Sequence, residues 1–335
     1  MPQGRTVHDQ ESLYRYRCIM VVVAKKVGRL ANRILLFAHF IAAATEHGFK
    51  VVNPAFDSYA RYFPATSRDL FCRFPAAGPM PSLGFTGRSL FYHVTLASAN
   101  ALHVLQQHGR DVGLIRLRRD QILDLDGPGF LAAMDRHKVV FVQDWFFRSE
   151  FGCEKHGDVI RSFFTPFEHH LDRVKSVLEP VRCAERFVVG VHVRQDDYAE
   201  FKGGQFLFSH RQYREVMEQV LSIFPNKSVA FLVCSDAGIP TGAFDGLEVI
   251  YGNGHELEDL YALAACDLLL GPPSTYSKWA SFYGKVPRYE VRTPSLRLTP
   301  EQFRISSSLD HGLTSLIPKQ LPNQMPAAAG SSTSR

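Results

Sequence analysis

Apolar and polar positions alternate regularly in the second half of the chain. Short runs rich in β-branched residues predict strands, and the amphipathic segments between them predict helices. The predicted strands cover residues 187–193, 228–234, 247–251, 267–270 and 288–291, and the predicted helices cover 211–224, 256–265 and 275–283. This alternation is typical of a doubly wound α/β domain that binds a nucleotide.

The first half begins in the same way. Residues 18–24 form an apolar run, residues 32–47 have helical character, and Gly48 is suited to end that helix. A short apolar run at 50–53 follows, so a βαβ unit with a parallel sheet is expected. Further along, 138–142 predicts a strand and 166–178 a helix that leads into the second half.

Residues 54–100 interrupt this regularity with five prolines and many aromatic residues. We interpret the segment as a long irregular insertion, which in compact domains is often a lid or a binding loop. The whole pattern predicts a polar leader at 1–17, an N-terminal domain at 18–182 that includes this insertion, and a C-terminal domain at 183–295. A segment at 296–317 and a disordered, low-complexity tail at 318–335 complete the predicted organisation.

The stretch from Phe187 to Tyr198, FVVGVHVRQDDY, is the centre of this pattern. Its first seven residues read as a strand buried on both faces, and polar residues then follow together. His192 and Arg194 are two positions apart, so their side chains leave the same face at the carboxyl end of the strand, where α/β sheets bind ligands. An arginine there suits a pyrophosphate; the alternative is a solvated strand end where Arg194 pairs with Asp196 or Asp197.

Composition limits the classes of function. The charge of +5 is too small and too dispersed for nucleic acid, and it suits an anionic small molecule or loose contact with an acidic membrane surface. Six scattered cysteines without a CxxC pair are typical of reduced thiols. The longest apolar run, 34–44, is too short to span a bilayer and no signal peptide is visible, so we expect a cytoplasmic protein, at most peripheral to a membrane.

Three other stretches place polar residues at strand ends or helix starts. They are Ser235-Asp236, 256–259 with Asp259, and 272–277 with Ser274 and Thr275. Ser274 and Thr275 open a helix, where hydroxyl groups and free backbone N–H groups can hold a phosphate, although an ordinary helix cap gives the same pattern. Together with Arg194 they are expected at one edge of one sheet.

These motifs, in this order, resemble the GT-B fucosyltransferases, and most closely the α1,2-fucosyltransferases of glycosyltransferase family 11. The HVRRGDY signature of that family is similar to His192-Val-Arg-Gln-Asp-Asp-Tyr198, and its SDD motif to Ser235-Asp236-Ala237. Its DLYLMSLC helix is similar to residues 259–266, its NSTFSWWGA stretch to 273–280, and its glycine-rich N-terminal motif to 28–38, which retains Gly28 and Asn32. Gln195, Asp196, Ala237, Ala31 and Lys278 depart from the family pattern.

The resemblance implies a GT-B-like α/β fold with two Rossmann-like domains across a cleft, and transfer of fucose from GDP-fucose to a glycan hydroxyl. It implies an α1,2 linkage, inversion, and no metal or other cofactor. Arg194 would neutralise the β-phosphate, His192 and Asp259 would contact guanosine, and Ser274 and Thr275 would hold phosphate oxygens. Asn32, beside Gly28, would face the donor sugar from across the cleft, and Asp236 corresponds to the first acidic residue of the SDD motif.

The sequence leaves the catalytic base and two other functions open. Asp196, Asp197 and Glu200 all lie near the donor in sequence, and we select Asp197 together with Arg194 and Asn32 as catalytic candidates. Asp124 and Asp126 form a DxD pair, the motif of metal-dependent hexosyltransferases, but their context looks like a turn. Glu168-His169-His170 could suggest a metal, but adjacent helical positions are expected to direct the two rings apart. A nucleotide-sugar-binding protein without turnover is the remaining alternative.

Overall fold

The computed structural model describes residues 19–78, 84–105, 111–118 and 121–309. The predicted leader at 1–17, the tail at 318–335 and the last eight residues of the 296–317 segment lie outside these residues. The predicted domain boundaries stay predictions, and the elements are described below in chain order.

The first half contains seven strands and seven helices among its described residues. They are β1 Met20–Val23, α1 Leu30–His47, β2 Lys50–Val52, α2 Pro64–Ser67, β3 Arg73–Phe74, α3 Gly84–Leu105, β4 Val112–Arg116, β5 Leu123–Asp124, α4 Pro128–Arg136, β6 Val139–Gln143, β7 Phe147–Arg148, α5 Glu150–Lys155, α6 Gly157–Phe163 and α7 Glu168–Cys183. We call the sheet of order β3-β2-β1-β6-β4 the N-terminal sheet; its strands are parallel except for β3, and β5 pairs with β7 separately. The βαβ start is confirmed, and α1 ends at Gly48 in the left-handed conformation, as expected.

The second half continues the alternation predicted from its pattern. Its elements are β8 Phe187–Val193, α8 His210–Ile223, β9 Val229–Ser235, β10 Val249–Tyr251, α9 Glu256–Ala264, β11 Leu268–Gly271, α10 Thr275–Gly284 and β12 Arg288–Glu290. They form what we call the C-terminal sheet, an all-parallel sheet of order β10-β9-β8-β11-β12 with β8 at its centre. Val188 packs into one hydrophobic cluster and Val189, Val191 and Val193 into another, and six of the seven residues of β8 are buried, which confirms that this strand is buried on both sides.

Two parts of the first half differ from the sequence-based prediction. The insertion at 54–100 is not irregular throughout, because α3 runs from Gly84 to Leu105. Its buried residues Arg88, Tyr92, Thr95 and Ala99 are spaced three or four apart, as in a helix with one packed face. Their small or polar character hid this period, and the aromatic residues that dominated the pattern lie mostly outside it. The predicted helix at 166–178 was also too short, since α7 continues to Cys183 with Pro180 inside it.

The two halves pack against each other through helices. Helix α1 contacts α10, and α7 contacts α9. Buried rings lie at this contact, with the centroids of Phe164 and Trp279 5.3 Å apart. No helix in the described ranges has the length and apolar character needed to cross a bilayer.

Candidate functional site

Two cavities meet between the N-terminal and C-terminal sheets. One, of 390 Å³, lies at the carboxyl end of β8 and β9 and is lined by His192, Asp236 and Asp259; we call it the strand-edge cavity. The other, of 530 Å³, is lined by Trp145, Phe146 and Phe206 among others; we call it the aromatic cavity. Both share one rim, which consists of Gly28, Asn32, Arg194, Asp197, Ser274 and Thr275. All six rim residues come from the motifs that the sequence singled out.

Arg194 lies at this rim directly after β8, with its guanidinium held in place. Nη1 is 3.1 Å from Oδ2 of Asp236, Nη2 donates to Asp197, and the group lies 4.9 Å from the centroid of the Tyr198 ring. Asp236 is itself fixed, because its Oδ1 accepts the backbone N–H of Gln195 at 2.8 Å. The Asp197 side chain is 51% exposed, compared with 13% for Asp236, so an incoming anion would displace Asp197 far more readily than Asp236.

The solvated alternative for this strand end is therefore only partly right. Arg194 does pair with Asp197, but its side chain is just 14% exposed and lines both cavities. Asp196 pairs instead with Arg29, at 3.0 Å. Asp197 is the one member of the three base candidates that lines either cavity.

His192 projects from the same strand into the strand-edge cavity. Its ring is 4% exposed and stacks on Tyr276 with 4.8 Å between centroids. Burial holds the pKa of His192 well below its ordinary value, and the charges of Arg194 and Arg288 lower it further, so the ring is neutral at pH 7. Nδ1 has no hydrogen-bond partner within the described residues, which is unusual for a buried polar atom outside a binding site.

Helix α10 begins at the rim. Ser274 is its N-cap, accepting the backbone N–H of Tyr276 at 3.1 Å, so the start of the helix and its free N–H groups face the cavities. Thr275 donates its hydroxyl to Oδ1 of Asn32 at 2.6 Å, a bond that joins the two halves at the site. The hydroxyl oxygen of Ser274 thus accepts a hydrogen bond as the helix cap, and the hydroxyl group of Thr275 donates one to the other half of the chain.

Asn32 reaches the rim because Gly28 leaves room for it. Gly28 has a φ of +51°, and a Cβ atom there would lie 1.8 Å from Nδ2 of Asn32. The glycine permits both the turn before α1 and the position of the Asn32 amide. Both residues that the sequence selected from the first half therefore lie at the site.

Asp259 and Glu256, at the start of α9, line the far end of the strand-edge cavity. Asp259 is buried, and its Oδ1 accepts the backbone N–H of Asn253 at 2.9 Å. Burial raises the pKa of Asp259 despite this hydrogen bond. The Asp259 carboxylate can accept hydrogen bonds from the N–H groups of a nucleobase. Glu256, in contrast, already accepts a hydrogen bond from the hydroxyl of Tyr62 at 3.2 Å.

Sequence reasoning missed the wall of the aromatic cavity. Trp145 and Phe146 follow β6 after one intervening residue, and Phe201, Lys202 and Phe206 belong to the loop after β8. The strand-end argument that selected Arg194 could have found Trp145 and Phe146. The loop residues carry no comparable signal.

The DxD pair does not present two free carboxylates. Asp126 pairs with Nε2 of His47 at 2.9 Å and accepts the hydroxyl of Ser149 at 2.7 Å. Asp124 accepts the backbone N–H of Asp126 at 3.0 Å, as in a turn. Neither residue lines the two cavities.

The neighbouring histidines of α7 contact each other, contrary to the expectation that they diverge. The ring centroids of His169 and His170 lie 4.1 Å apart, and Nδ1 of His170 also contacts Glu258 of α9 at 2.7 Å. The candidate ligand atoms of His170, His255 and Glu258 lie within 4.8 Å of one another, close enough together to hold a metal ion. However, Glu258 already interacts with Nδ1 of His170 at 2.7 Å and with Arg173 at 3.0 Å, and a guanidinium at that carboxylate favours an ion-pair hub over a cation site.

Comparisons with known proteins place the fold. No family model and no curated protein matches the chain. Among solved structures, a mutant of FUT1 from Arabidopsis thaliana in complex with GDP is similar, with 17% identity and a TM-score of 0.54 over 88% of this chain and 74% of that chain. The fucosyltransferase NodZ from Bradyrhizobium has 16% identity and a TM-score of 0.48 over 82% of this chain and 96% of that chain. The similarity confirms the predicted GT-B-like fold, with two Rossmann-like units facing each other across a cleft.

Proposed function

We propose that this protein is an inverting glycosyltransferase that transfers fucose from GDP-fucose to a glycan hydroxyl and forms an α1,2 linkage. One observation carries the proposal: Arg194, the start of α10 and Asn32 converge where the two cavities meet. A nucleotide in the strand-edge cavity would place its pyrophosphate at that rim and its sugar in the aromatic cavity. The GDP complex of the similar FUT1 structure supports the nucleotide, and the family motifs support fucose and the linkage.

The residues at the rim suit the leaving group. In the transfer, the acceptor oxygen forms a bond to the anomeric carbon as the bond from that carbon to the β-phosphate oxygen breaks, and the electron pair stays on GDP. Arg194 and the N–H groups at the start of α10 lie where this negative charge develops. A contact of this kind contributes about 3 kcal/mol to transition-state stabilisation.

The nucleoside would occupy the far end of the strand-edge cavity. Neutral His192 offers an unpartnered Nδ1, and Asp259 offers a carboxylate that its own loop orients. Guanine presents adjacent N–H donors that such a carboxylate can accept, whereas uracil presents one. This asymmetry favours GDP over UDP.

The hydroxyl proton of the acceptor needs a base, and we assign it to Asp197. Asp197 lies on the shared rim, and its exposed side chain can leave Arg194 when a phosphate takes its place. In the resting pair the carboxylate is engaged by Arg194, so donor binding would release it towards the acceptor. Asp197→Asn is expected to lower kcat while GDP affinity is retained.

We also propose that the reaction needs no metal ion, since Arg194 and α10 supply the positive potential at the diphosphate. The metal-dependent alternative would use Asp124 and Asp126, whose carboxylates are engaged in a turn and in bonds to His47 and Ser149. The two mechanisms differ in nucleotide preference and in sensitivity to chelation.

The test is calorimetric titration with GDP, UDP, ADP and dTDP in EDTA, for the wild type and Arg194→Ala. We expect selective GDP binding that Arg194→Ala weakens at least about tenfold, because a charge-assisted contact to the diphosphate is lost. Arg186→Ala is the matched control, since Arg186 lies at the opposite end of β8 and pairs with Glu248 at 3.0 Å. UDP binding that requires Mn²⁺ would instead support the DxD pair.

Turnover then separates an enzyme from a binding protein. GDP release from GDP-fucose is measured with a panel of glycans, and the linkage of any product is determined by NMR. GDP binding without transfer to any member of the panel would favour the nucleotide-sugar-binding alternative.

A further inference from the structure

The aromatic cavity is lined by more cationic than acidic side chains. Four cationic and two acidic side chains line it: Arg194, Lys202, Lys278, Arg292, Asp197 and Glu290. Both acidic groups already face arginines. Asp197 pairs with Arg194, while Glu290 pairs with Arg288 at 3.1 Å and Arg292 at 2.5 Å. Lys202 takes part in none of these pairs, so it adds positive charge to the cavity beyond them.

Lys202 contributes this charge without an acidic partner. Its Nζ lies 5.9 Å from the ring centroids of both Phe201 and Phe206, and within the described residues no carboxylate is at ion-pair distance from it. The residue has a φ of +49°, in the left-handed region that costs a non-glycine residue about 1 kcal/mol. The loop thus holds an ammonium group beside the cavity at an energetic cost, between rings that can also pack on a sugar.

The second lysine of the cavity lies one turn into α10. Lys278 is 5% exposed, although a charged side chain is rarely buried to that extent. It follows the rim residues Ser274 and Thr275 on the same helix and lines the same cavity. The two lysines of the cavity thus come from separate elements, Lys202 from the loop after β8 and Lys278 from α10.

We propose that the acceptor glycan carries an anionic group, a carboxylate or a phosphate, which the aromatic cavity binds through Lys202 with help from Lys278 and Arg292. The inference rests on the proposed function and narrows its acceptor class. With the pyrophosphate of GDP-fucose at the rim and its sugar in the aromatic cavity, the acceptor enters the same cavity beside that sugar. The rings of Phe201 and Phe206 pack on the glycan, and Lys202 pairs with its anionic group.

The test uses protein saturated with GDP and three matched disaccharides with a terminal galactose. One is neutral, one carries a uronic acid in place of the second sugar, and one carries a phosphate on that sugar. Calorimetric titration at low salt is expected to show at least about tenfold tighter binding of an anionic disaccharide than of the neutral one. The anion that binds more tightly distinguishes an acidic glycan from a sugar phosphate.

Variants of Lys202 test the contact itself. Lys202→Gln keeps most of the aliphatic stem and should abolish the preference for the anion while changing the neutral disaccharide less than twofold, whereas Lys202→Arg should retain it. Lys227→Gln is the matched control: Nζ of Lys227 lies 5.6 Å from the centroid of the Phe187 ring, at the opposite end of the C-terminal sheet. This variant should behave as the wild type.

The two proposals fail in different ways. If GDP binds and depends on Arg194, but neutral and anionic disaccharides bind equally or not at all, the acceptor inference is wrong and the donor site stands. A preference for the anion that survives in Lys202→Gln also overturns it. If GDP itself does not bind, the proposed function is wrong.

Discussion

The carboxyl edges of the two sheets contribute to the site in different ways. In the C-terminal sheet, polar residues follow successive strands: Arg194 after β8, Asp236 after β9 and Ser274 after β11. In the N-terminal sheet, the contribution is one helix start, with Gly28 and Asn32, and the aromatic pair after β6. The regular parallel strands of the C-terminal sheet bring polar residues that are distant in sequence to one edge by register alone. The edge of the N-terminal sheet instead forms one wall of the cavities.

The aromatic residues of the first half also have two different roles: Trp145 and Phe146 line the aromatic cavity, whereas those between 54 and 78 pack the interior. Most of those between 54 and 78 are buried. They pack against α6, where the centroids of Phe74 and Phe163 are 5.6 Å apart, and against the second half, where those of Phe63 and Tyr261 are 6.5 Å apart. Tyr62 contacts both His170 and His255, each at 5.5 Å between centroids. These rings join the two halves and do not line the two cavities at the site, so aromatic density in the sequence marked a packing region.

The largest effect is expected from crowding the layer behind the C-terminal sheet. A Cβ atom on Gly284 would lie 1.8 Å from the backbone oxygen of Ala264, and helices α9 and α10 would have to separate. Gly284→Ala should lower the free energy of unfolding by about 3 kcal/mol. At the end of α1, Gly48 has a φ of +75° but open space around it, so Gly48→Ala should cost only about 1 kcal/mol. Chemical denaturation measures both; equal losses would show that α9 and α10 are not so closely packed.

A smaller effect is expected from each of the two buried histidines, one in each half. Burial holds the pKa of both His39 and His192 well below the ordinary value near 6.5, while the unfolded chain takes up protons there. Their contribution to stability is present above that ordinary value and is lost as the pH falls. Between pH 6.5 and 5, each should lower the free energy of unfolding by about 1.4 kcal/mol per pH unit.

Denaturation at several pH values, with His39→Gln and His192→Gln, separates the two histidines. Each variant should reduce the slope of the free energy of unfolding against pH by about 1.4 kcal/mol per pH unit, the equivalent of one proton. Saturating GDP should change only the contribution of His192, since that ring lines the strand-edge cavity and His39 does not. If GDP left both slopes unchanged, His192 would not lie beside the nucleotide.

The smallest effect is expected at the exposed ion pair that joins the two halves beside the rim. Arg29 and Asp196 are 3.0 Å apart, with side chains 63% and 54% exposed. Arg29→Ala should change the free energy of unfolding by less than about 0.5 kcal/mol and GDP affinity by less than about twofold, because water and salt screen such pairs. A large loss of GDP affinity would place the nucleotide nearer to Arg29 than we propose.

Much of the fold could be predicted from the pattern of apolar residues. The elements of the second half have strong periodicity and clear turn and cap signals, and their predicted positions agree with the structure to within about two residues. Helix α3 was missed because its packed face consists of Arg88, Tyr92, Thr95 and Ala99, which have no shared apolar character. Strand β4 was not predicted either, and its partner β6 lies more than 20 residues further along the chain.

The sequence alone determined which residues stand at the ends of strands and the starts of helices, because side-chain direction follows from the two-residue period of a strand and from the first turn of a helix. That was enough to place His192, Arg194, Ser274 and Thr275 at one edge. Only the tertiary structure decided that Asn32 bonds to Thr275, that Asp236 as well as Asp197 holds Arg194, and that Lys202 faces the aromatic cavity. These contacts depend on how two sheets and a loop pack together in space, and no local period in the chain encodes that arrangement.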